Sequence, residues 1–195
     1  MKKIGVLALQ GAVCEHLTML RKLQVDAISI KQPDQLETLN GLIIPGGEST
    51  AISRLIEENH FHEAIVRFAQ SGKAILGTCA GLILCAKSIK PSPLNGSLIK
   101  PLGLMDMIVE RNGFGRQVDS FEIELDIQHI GNHIPAVFIR APYITSVGAG
   151  VEVLATIDDH IVMAKQQNIL VAAFHPELTP DNRIMDYFIA MTRCT

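Results

Sequence analysis

The sequence predicts one α/β domain built on a mostly parallel sheet with helices on both faces. Three observations predict it. Short apolar runs alternate with helical patterns along the first half, an order that right-handed crossovers turn into a parallel sheet. The first run, residues 3–9, is almost continuously apolar, as a strand buried on both faces requires. The chain has 195 residues, 48% of them hydrophobic, enough for one domain to bury its own core without disulfides or metals.

The elements follow in order. After the first strand, Val13, Leu17 and Leu20, with Met19 and Leu23 beside them, recur at helical spacing. Residues 26–30 read as a second strand and residues 42–45 as a third. Residues 50–58 and 61–71 read as helices, with Gly72 as a stop. Residues 74–76 form a further strand ending at Gly77. Three prolines, two glycines and three serines between residues 88 and 103 mark a surface loop. Residues 120–127 alternate apolar and acidic side chains, so one face of that strand is expected to meet solvent. Further strands are expected at 137–139, 151–157, 161–164 and 169–174. A closing helix spans 182–193, with Ile184, Tyr187, Phe188 and Met191 on its apolar face.

Composition excludes several function classes. Seventeen basic and twenty acidic residues are well mixed, with a net charge of −3, so no stripe suits nucleic acid or an anionic membrane. No apolar run reaches the ~18 residues of a membrane-spanning helix. The opening apolar segment lacks a small-x-small cleavage site. Cys14, Cys79, Cys85 and Cys194 form no Cys-x-x-Cys, which points to a reducing cytoplasm and leaves single thiols free for chemistry. Cys14 and Cys85 fall on apolar helical faces and are expected in the core.

Three constellations carry chemistry. In Gly77-Thr78-Cys79-Ala80-Gly81 a cysteine stands between a buried strand and a helix, with glycines two residues to either side. This is a thiol counterpart of the nucleophile elbow, whose sharp turn needs small neighbours. The sulfur would lie near a helix N-terminus, which favours an anion, and the Ala80 amide would point where an oxyanion forms. In His175-Pro176-Glu177 the proline is expected to keep the backbone extended, so that residues 175 and 177 face the same way. The carboxylate would then orient the imidazole as a base. In Pro45-Gly46-Gly47-Glu48-Ser49-Thr50 two glycines let backbone amides approach a ligand, and Ser49 or Thr50 is expected to cap the helix. The Gly-Lys-Ser/Thr of a phosphate loop is missing. Taken singly, these could be a buried cysteine, a surface turn and an ordinary capped turn. Together they fall at strand C-terminal ends, where open α/β sheets place ligands.

These residues resemble the class I (triad) glutamine amidotransferases. Within that family they are most similar to the glutaminase subunits of pyridoxal 5′-phosphate synthases. The narrower resemblance rests on Gly5-Val6-Leu7-Ala8-Leu9-Gln10-Gly11-Ala12, the two glycine-bearing motifs, the Glu110-Arg111-Asn112-Gly113-Phe114-Gly115-Arg116-Gln117-Val118-Asp119-Ser120-Phe121-Glu122 block, Phe138-Ile139-Arg140-Ala141-Pro142 and Phe174-His175-Pro176-Glu177-Leu178. It implies a flavodoxin-like three-layer fold forming one glutaminase domain over residues 1–195. It implies hydrolysis of glutamine to glutamate and ammonia by Cys79, His175 and Glu177, with Gly47 and Ala80 amides as the oxyanion hole. Glutamine binding is carried over onto Gly46, Gly47, Glu48, Arg111, Ile139 and Arg140. Gln10 is expected to support an active form of the Gly46–Gly47 turn that a docked partner induces. That partner is implied to be a (β/α)8-barrel synthase subunit in a large cytoplasmic hetero-oligomer, consuming the ammonia to make pyridoxal 5′-phosphate. No metal or organic cofactor is expected. Ala80 stands where most of the wider family has a bulky residue, Gly113 where serine is frequent, and the 88–103 loop is slightly long. Two alternatives stay open: a glutaminase serving another ammonia-using synthase, such as that for imidazole glycerol phosphate, and a redox-sensing module on the same sheet.

Overall fold

The computed structural model describes residues 2–90, 99–111, 113 and 120–192. The first half follows the expected alternation. Strand β1 (Lys3–Leu7) leads to helix α1 (Val13–Lys22), which packs back on β1 and on β2 (Asp26–Ile30). A 3-10 turn (Pro33–Thr38) precedes β3 (Gly41–Ile44). Helices α2 (Ser49–Glu58) and α3 (Phe61–Gln70) follow. The chain leaves α3 through Gly72 at φ +81°, a left-handed conformation that glycine adopts without strain. Strand β4 (Ala74–Thr78) then runs into the short, fully buried helix α4 (Ala80–Cys85).

The second half is strand-rich. It contains β5 (Ala86–Ile89), β6 (Met105–Glu110), β7 (Ser120–Ile127), β8 (Gly131–Ile139), β9 (Tyr143–Val147), β10 (Glu152–Ile157), β11 (His160–Gln166) and β12 (Ile169–Ala172), and α5 (Arg183–Met191) closes it. Three of these strands are absent from the sequence reading. Strand β5 occupies the start of the expected loop, whose residues 91–98 lie outside the described residues. Strands β6 and β9 pair with each other across more than thirty residues of chain, so nothing local announces them.

Among the described residues, ten strands form one sheet in the order β2-β1-β3-β4-β12-β11-β9-β6-β5, with β10 on β11. The five strands from β2 to β12 are parallel. Their ends at Ile44, Thr78 and Ala172 stand side by side, because β3, β4 and β12 are adjacent. Strand β11 turns the sheet antiparallel on the far side of β12. A single apolar core runs through both halves.

The β7–β8 hairpin lies off this sheet and keeps the predicted solvated face: Glu122, Glu124 and Asp126 are exposed while Leu125 and Ile127 are buried. Phe138 on β8 stacks on Phe121 at 4.6 Å and meets Phe174 at 5.3 Å. Just beyond Phe174, the His175 N–H donates to Val137 O at 2.9 Å. The hairpin is therefore pinned against the end of β12, and this brings Ile139 to the elbow.

Candidate active site

The elbow is built by backbone strain and missing side chains. Cys79 sits at φ 49°, ψ −104°, a conformation costly for any residue with a Cβ. Its N–H donates to Ala172 O at 2.8 Å, tying the turn to the end of β12. The predicted glycines are required by contact. A Cβ on Gly81 would collide with the Ile44 carbonyl, and one on Gly77 would stand 2.7 Å from the Gly81 carbonyl carbon. Ala80 is the first residue of α4, so its N–H lies outside the helix's own ladder.

The His175–Glu177 pair forms, but by a different local route from the expected one. Residues Pro176–Leu178 make a 3-10 turn rather than an extended segment. Proline is tolerated at the start of such a turn, where no N–H is needed. His175 itself stays non-helical (φ −111°, ψ 85°). The turn folds Glu177 back so that its Oε1 lies 2.7 Å from His175 Nδ1, both side chains nearly or fully buried. Cys79 also acts on the His175 ring. Burial alone would push the imidazole down, but its bonds to Cys79 and Glu177 and their charges bring it up to about 10. Glu177 is likewise opposed by burial, yet the electrostatic pull of His16, the bond to His175 and the His175 charge hold its carboxyl below the usual range.

The glycine turn closes against these residues. A Cβ on Gly46 would stand 2.5 Å from His175 Cε1 and 3.1 Å from Cys79 Cβ. Gly46 O accepts from Ala12 N–H at 2.9 Å. In a planar trans peptide the Gly47 N–H therefore faces away from Ala12. Gln10 Oε1 accepts from Glu48 N–H at 2.9 Å. The cap of α2 is Glu48, not Ser49 or Thr50: its carboxylate accepts from the amides of Thr50 (3.0 Å) and Ala51 (2.7 Å). Burial opposes ionisation there, but those amides and Arg111 lower the Glu48 pKa.

Arg111 Nη2 is 3.8 Å from Glu48 Oε1, an exposed pair. Ile139 lies at the end of β8 with its carbonyl 4.0 Å from Cys79 Sγ. Arg140 follows at φ 41°. The structure thus gathers Gln10, Gly46, Gly47, Glu48, Cys79, Ile139, His175 and Glu177 and adds Arg111 through Glu48. Asn112 and residues 114–119 of the sequence block lie outside the described residues. Gly113 is described, and a Cβ there would meet the Tyr143 ring as it stands. The cleft of about 670 Å³ lined by Glu124, His133, Leu154 and Asp158 contains none of the site residues.

Two expectations about other residues change. Cys14 is exposed, because it shares the outer edge of α1 with Thr18 and Lys22, whereas Cys85 is buried as expected. Burial also pushes the Cys85 thiol up to about 12. His16 was missed: it lies on the buried stripe of α1 with Leu17 and Leu20, wholly inaccessible. Its Nε2 is 3.1 Å from Thr78 Oγ1 and 3.5 Å from Glu177 Oε2. A titratable residue set among the leucines of that stripe was the signal.

The two histidines make stability depend on pH in opposite senses. Burial holds His16 below its ordinary 6.5, so the unfolded chain takes up that proton first and stability falls as the pH drops below about 6.5. His175, raised to about 10, contributes fully below 6.5 and loses its contribution as the pH rises toward 10. Thermal melts from pH 5 to 10 should show both limbs. His16→Leu should flatten the acid limb and His175→Ala the alkaline one.

Among the described residues, no group of three or more His, Cys, Asp or Glu side chains is placed to hold a metal. No described helix is long and apolar enough to cross a membrane.

Comparison with known proteins agrees with the geometry. The model of the SNO glutamine amidotransferase family matches residues 6–194. The pyridoxal 5′-phosphate synthase subunit PdxT of Oceanobacillus iheyensis is 53% identical over 97% of this chain and 92% of its own. The subunit of that name from Pasteurella multocida is 53% identical over 96% and 95%. A solved structure of a glutamine amidotransferase superposes with a TM-score of 0.89 at 43% identity, covering 97% of this chain and 98% of that one. PurLQS from Thermotoga maritima shares the fold, with a TM-score of 0.72 at 14% identity over 98% and 99% of the two chains.

Proposed function

Because the chain belongs to the SNO glutamine amidotransferase family, we propose that it is the glutaminase subunit of a pyridoxal 5′-phosphate synthase. Its 195 residues act as one glutaminase domain in the cytoplasm. The observation that carries the reading is the His175 ring held between Cys79 and Glu177 at the end of β12.

The reaction follows from that arrangement. Cys79 Sγ attacks the side-chain carbonyl carbon of glutamine with its proton already on His175, whose pKa of about 10 keeps the ring charged at neutral pH. Glu177 keeps the imidazole oriented and balances its positive charge. The amides of Gly47 and Ala80 donate to the tetrahedral oxyanion, a contribution worth about 10²–10³ in rate per donor. His175 then protonates the departing nitrogen, and ammonia leaves a γ-glutamyl thioester on Cys79. Water, deprotonated by His175, attacks the thioester, and glutamate leaves as the thiol recovers its proton. Glu48 suits the α-ammonium of the substrate, and Arg111 or Arg140 its α-carboxylate. Gly46 and Ile139 line the same place.

The synthase partner is a (β/α)8-barrel subunit joined in a large hetero-oligomer, and it takes the ammonia. Docking reorients the Gly46–Gly47 peptide, with Gln10 at the interface. This is supported by the bonds that fix the turn to the lead-in of α1, Ala12 N–H to Gly46 O and Glu48 N–H to Gln10 Oε1. Glutamate release from glutamine tests the proposal, measured for the chain alone, with the barrel subunit, and with an imidazole glycerol phosphate synthase subunit. Release is expected to rise only with the pyridoxal 5′-phosphate partner. Equal turnover by the chain alone would refute the gating, and activation only by the other synthase would refute the assignment.

A further inference from the structure

We propose that His16 is a positioning residue for the reaction, donating its Nε2–H to Glu177 Oε2 so that Glu177 Oε1 stays turned onto His175 Nδ1. This inference rests on the triad reading above.

The carboxylate of Glu177 uses one oxygen for His175. Its other oxygen, Oε2, is buried and has no hydrogen bond of ordinary length among the described residues, and the same is true of His16 Nδ1. A buried carboxylate oxygen without a donor is costly. His16 Nε2 stands 3.5 Å from it, and both side chains are wholly inaccessible.

The tautomer of His16 follows from what surrounds it. Full burial disfavours the imidazolium, so the ring carries one proton. A proton on Nδ1 would be an orphaned donor, and it would turn the Nε2 lone pair toward a carboxylate. A proton on Nε2 has Thr78 Oγ1 at 3.1 Å and Glu177 Oε2 at 3.5 Å within its reach and leaves only an unpaired acceptor at Nδ1. The second arrangement satisfies more groups. Besides Glu177, the charged groups that act on this ring are His175 and Glu15.

The position of His16 in the chain gives the contact its consequence. Gln10 and Ala12 hold the glycine turn, and four residues after Ala12 the first turns of α1 deliver His16 to the triad carboxylate. One segment thus grips both the proposed oxyanion turn and the proposed third member of the triad.

Two substitutions separate a donor from a filler. His16→Gln keeps an amide N–H near the Nε2 position, whereas His16→Leu fills the volume without a donor. In complex with the synthase subunit, His16→Leu is expected to lower kcat about tenfold, the equivalent of roughly 1.4 kcal/mol, with KM nearly unchanged. His16→Gln should stay close to the parent chain. Nuclear magnetic resonance titration of His175 in the full chain gives a second readout. Its midpoint should move to lower pH in His16→Leu, as in Glu177→Gln, and stay in place in His16→Gln. If the leucine variant does not fold, His16→Asn replaces it, because its shorter amide reproduces Nδ1 rather than Nε2.

Equal losses in the donor and filler variants would overturn the proposal, as would a change in KM alone. A His175 midpoint that moves in Glu177→Gln but not in His16→Leu would overturn it while leaving the triad standing. A midpoint and turnover that do not move even in Glu177→Gln would overturn both.

Discussion

Replacing Cys79 with alanine should reduce glutamate release from the complex by four orders of magnitude or more, on the order of what loss of a covalent nucleophile costs. The reason is local. Among the described residues the other thiols are poorly placed to replace it: Cys85 is buried in α4 with its pKa raised to about 12, and Cys14 is exposed on the outer edge of α1. Alanine keeps a Cβ at the strained φ of 49°, so the substitution leaves the backbone conditions of the turn as they were. Thermal stability and partner binding should therefore stay near those of the parent chain. Residual turnover within a hundredfold of the parent would mean that another group attacks the amide.

Gly46→Ala should be nearly as damaging, with a loss in kcat/KM of about 10²-fold or more. Its new methyl group would stand 2.5 Å from His175 Cε1. The ring has little freedom to retreat, because it is nearly buried and bonded to Glu177. Moving it by a fraction of an ångström lengthens that bond, and displacement of about 1 Å can cost 10²-fold. The methyl would also crowd Cys79 Cβ at 3.1 Å. Steady-state glutamate release should fall far more than thermal stability does, which separates a site defect from a folding defect.

The parallel half of the fold was legible because its signals are local. Residues 3–9, 26–30, 42–45 and 74–76 are apolar runs bounded by helical periodicity, and each forms a strand at or near its predicted place. The antiparallel half was less so. Strands β6 and β9 depend on each other across the hairpin, and apolar Ile108 between Met107 and Val109 breaks the apolar–polar alternation that would mark β6 as a strand.

The site divides in the same way. The elbow was readable since its glycines stand two residues to either side of Cys79, although the contact that demands Gly81 comes from Ile44 on β3. Proximity of His175 and Glu177 was anticipated, yet the extended backbone assigned to it gives way to a 3-10 turn. Such a turn places i and i+2 together by curling the chain, and proline permits either geometry. Glu48 as the α2 cap was overlooked because serine and threonine follow it directly and are the usual caps. His16 could be seen only in three dimensions, since the carboxylate it faces is 161 positions further along the chain.

Acid quenching of the complex during glutamine turnover, followed by mass mapping of its peptides, tests the central claim most directly. The account predicts a γ-glutamyl group on the peptide that contains Cys79, removed by hydroxylamine as a thioester should be. Steady glutamate release with that peptide unmodified at every quench time, or with the group on Cys14 or Cys85, would contradict it.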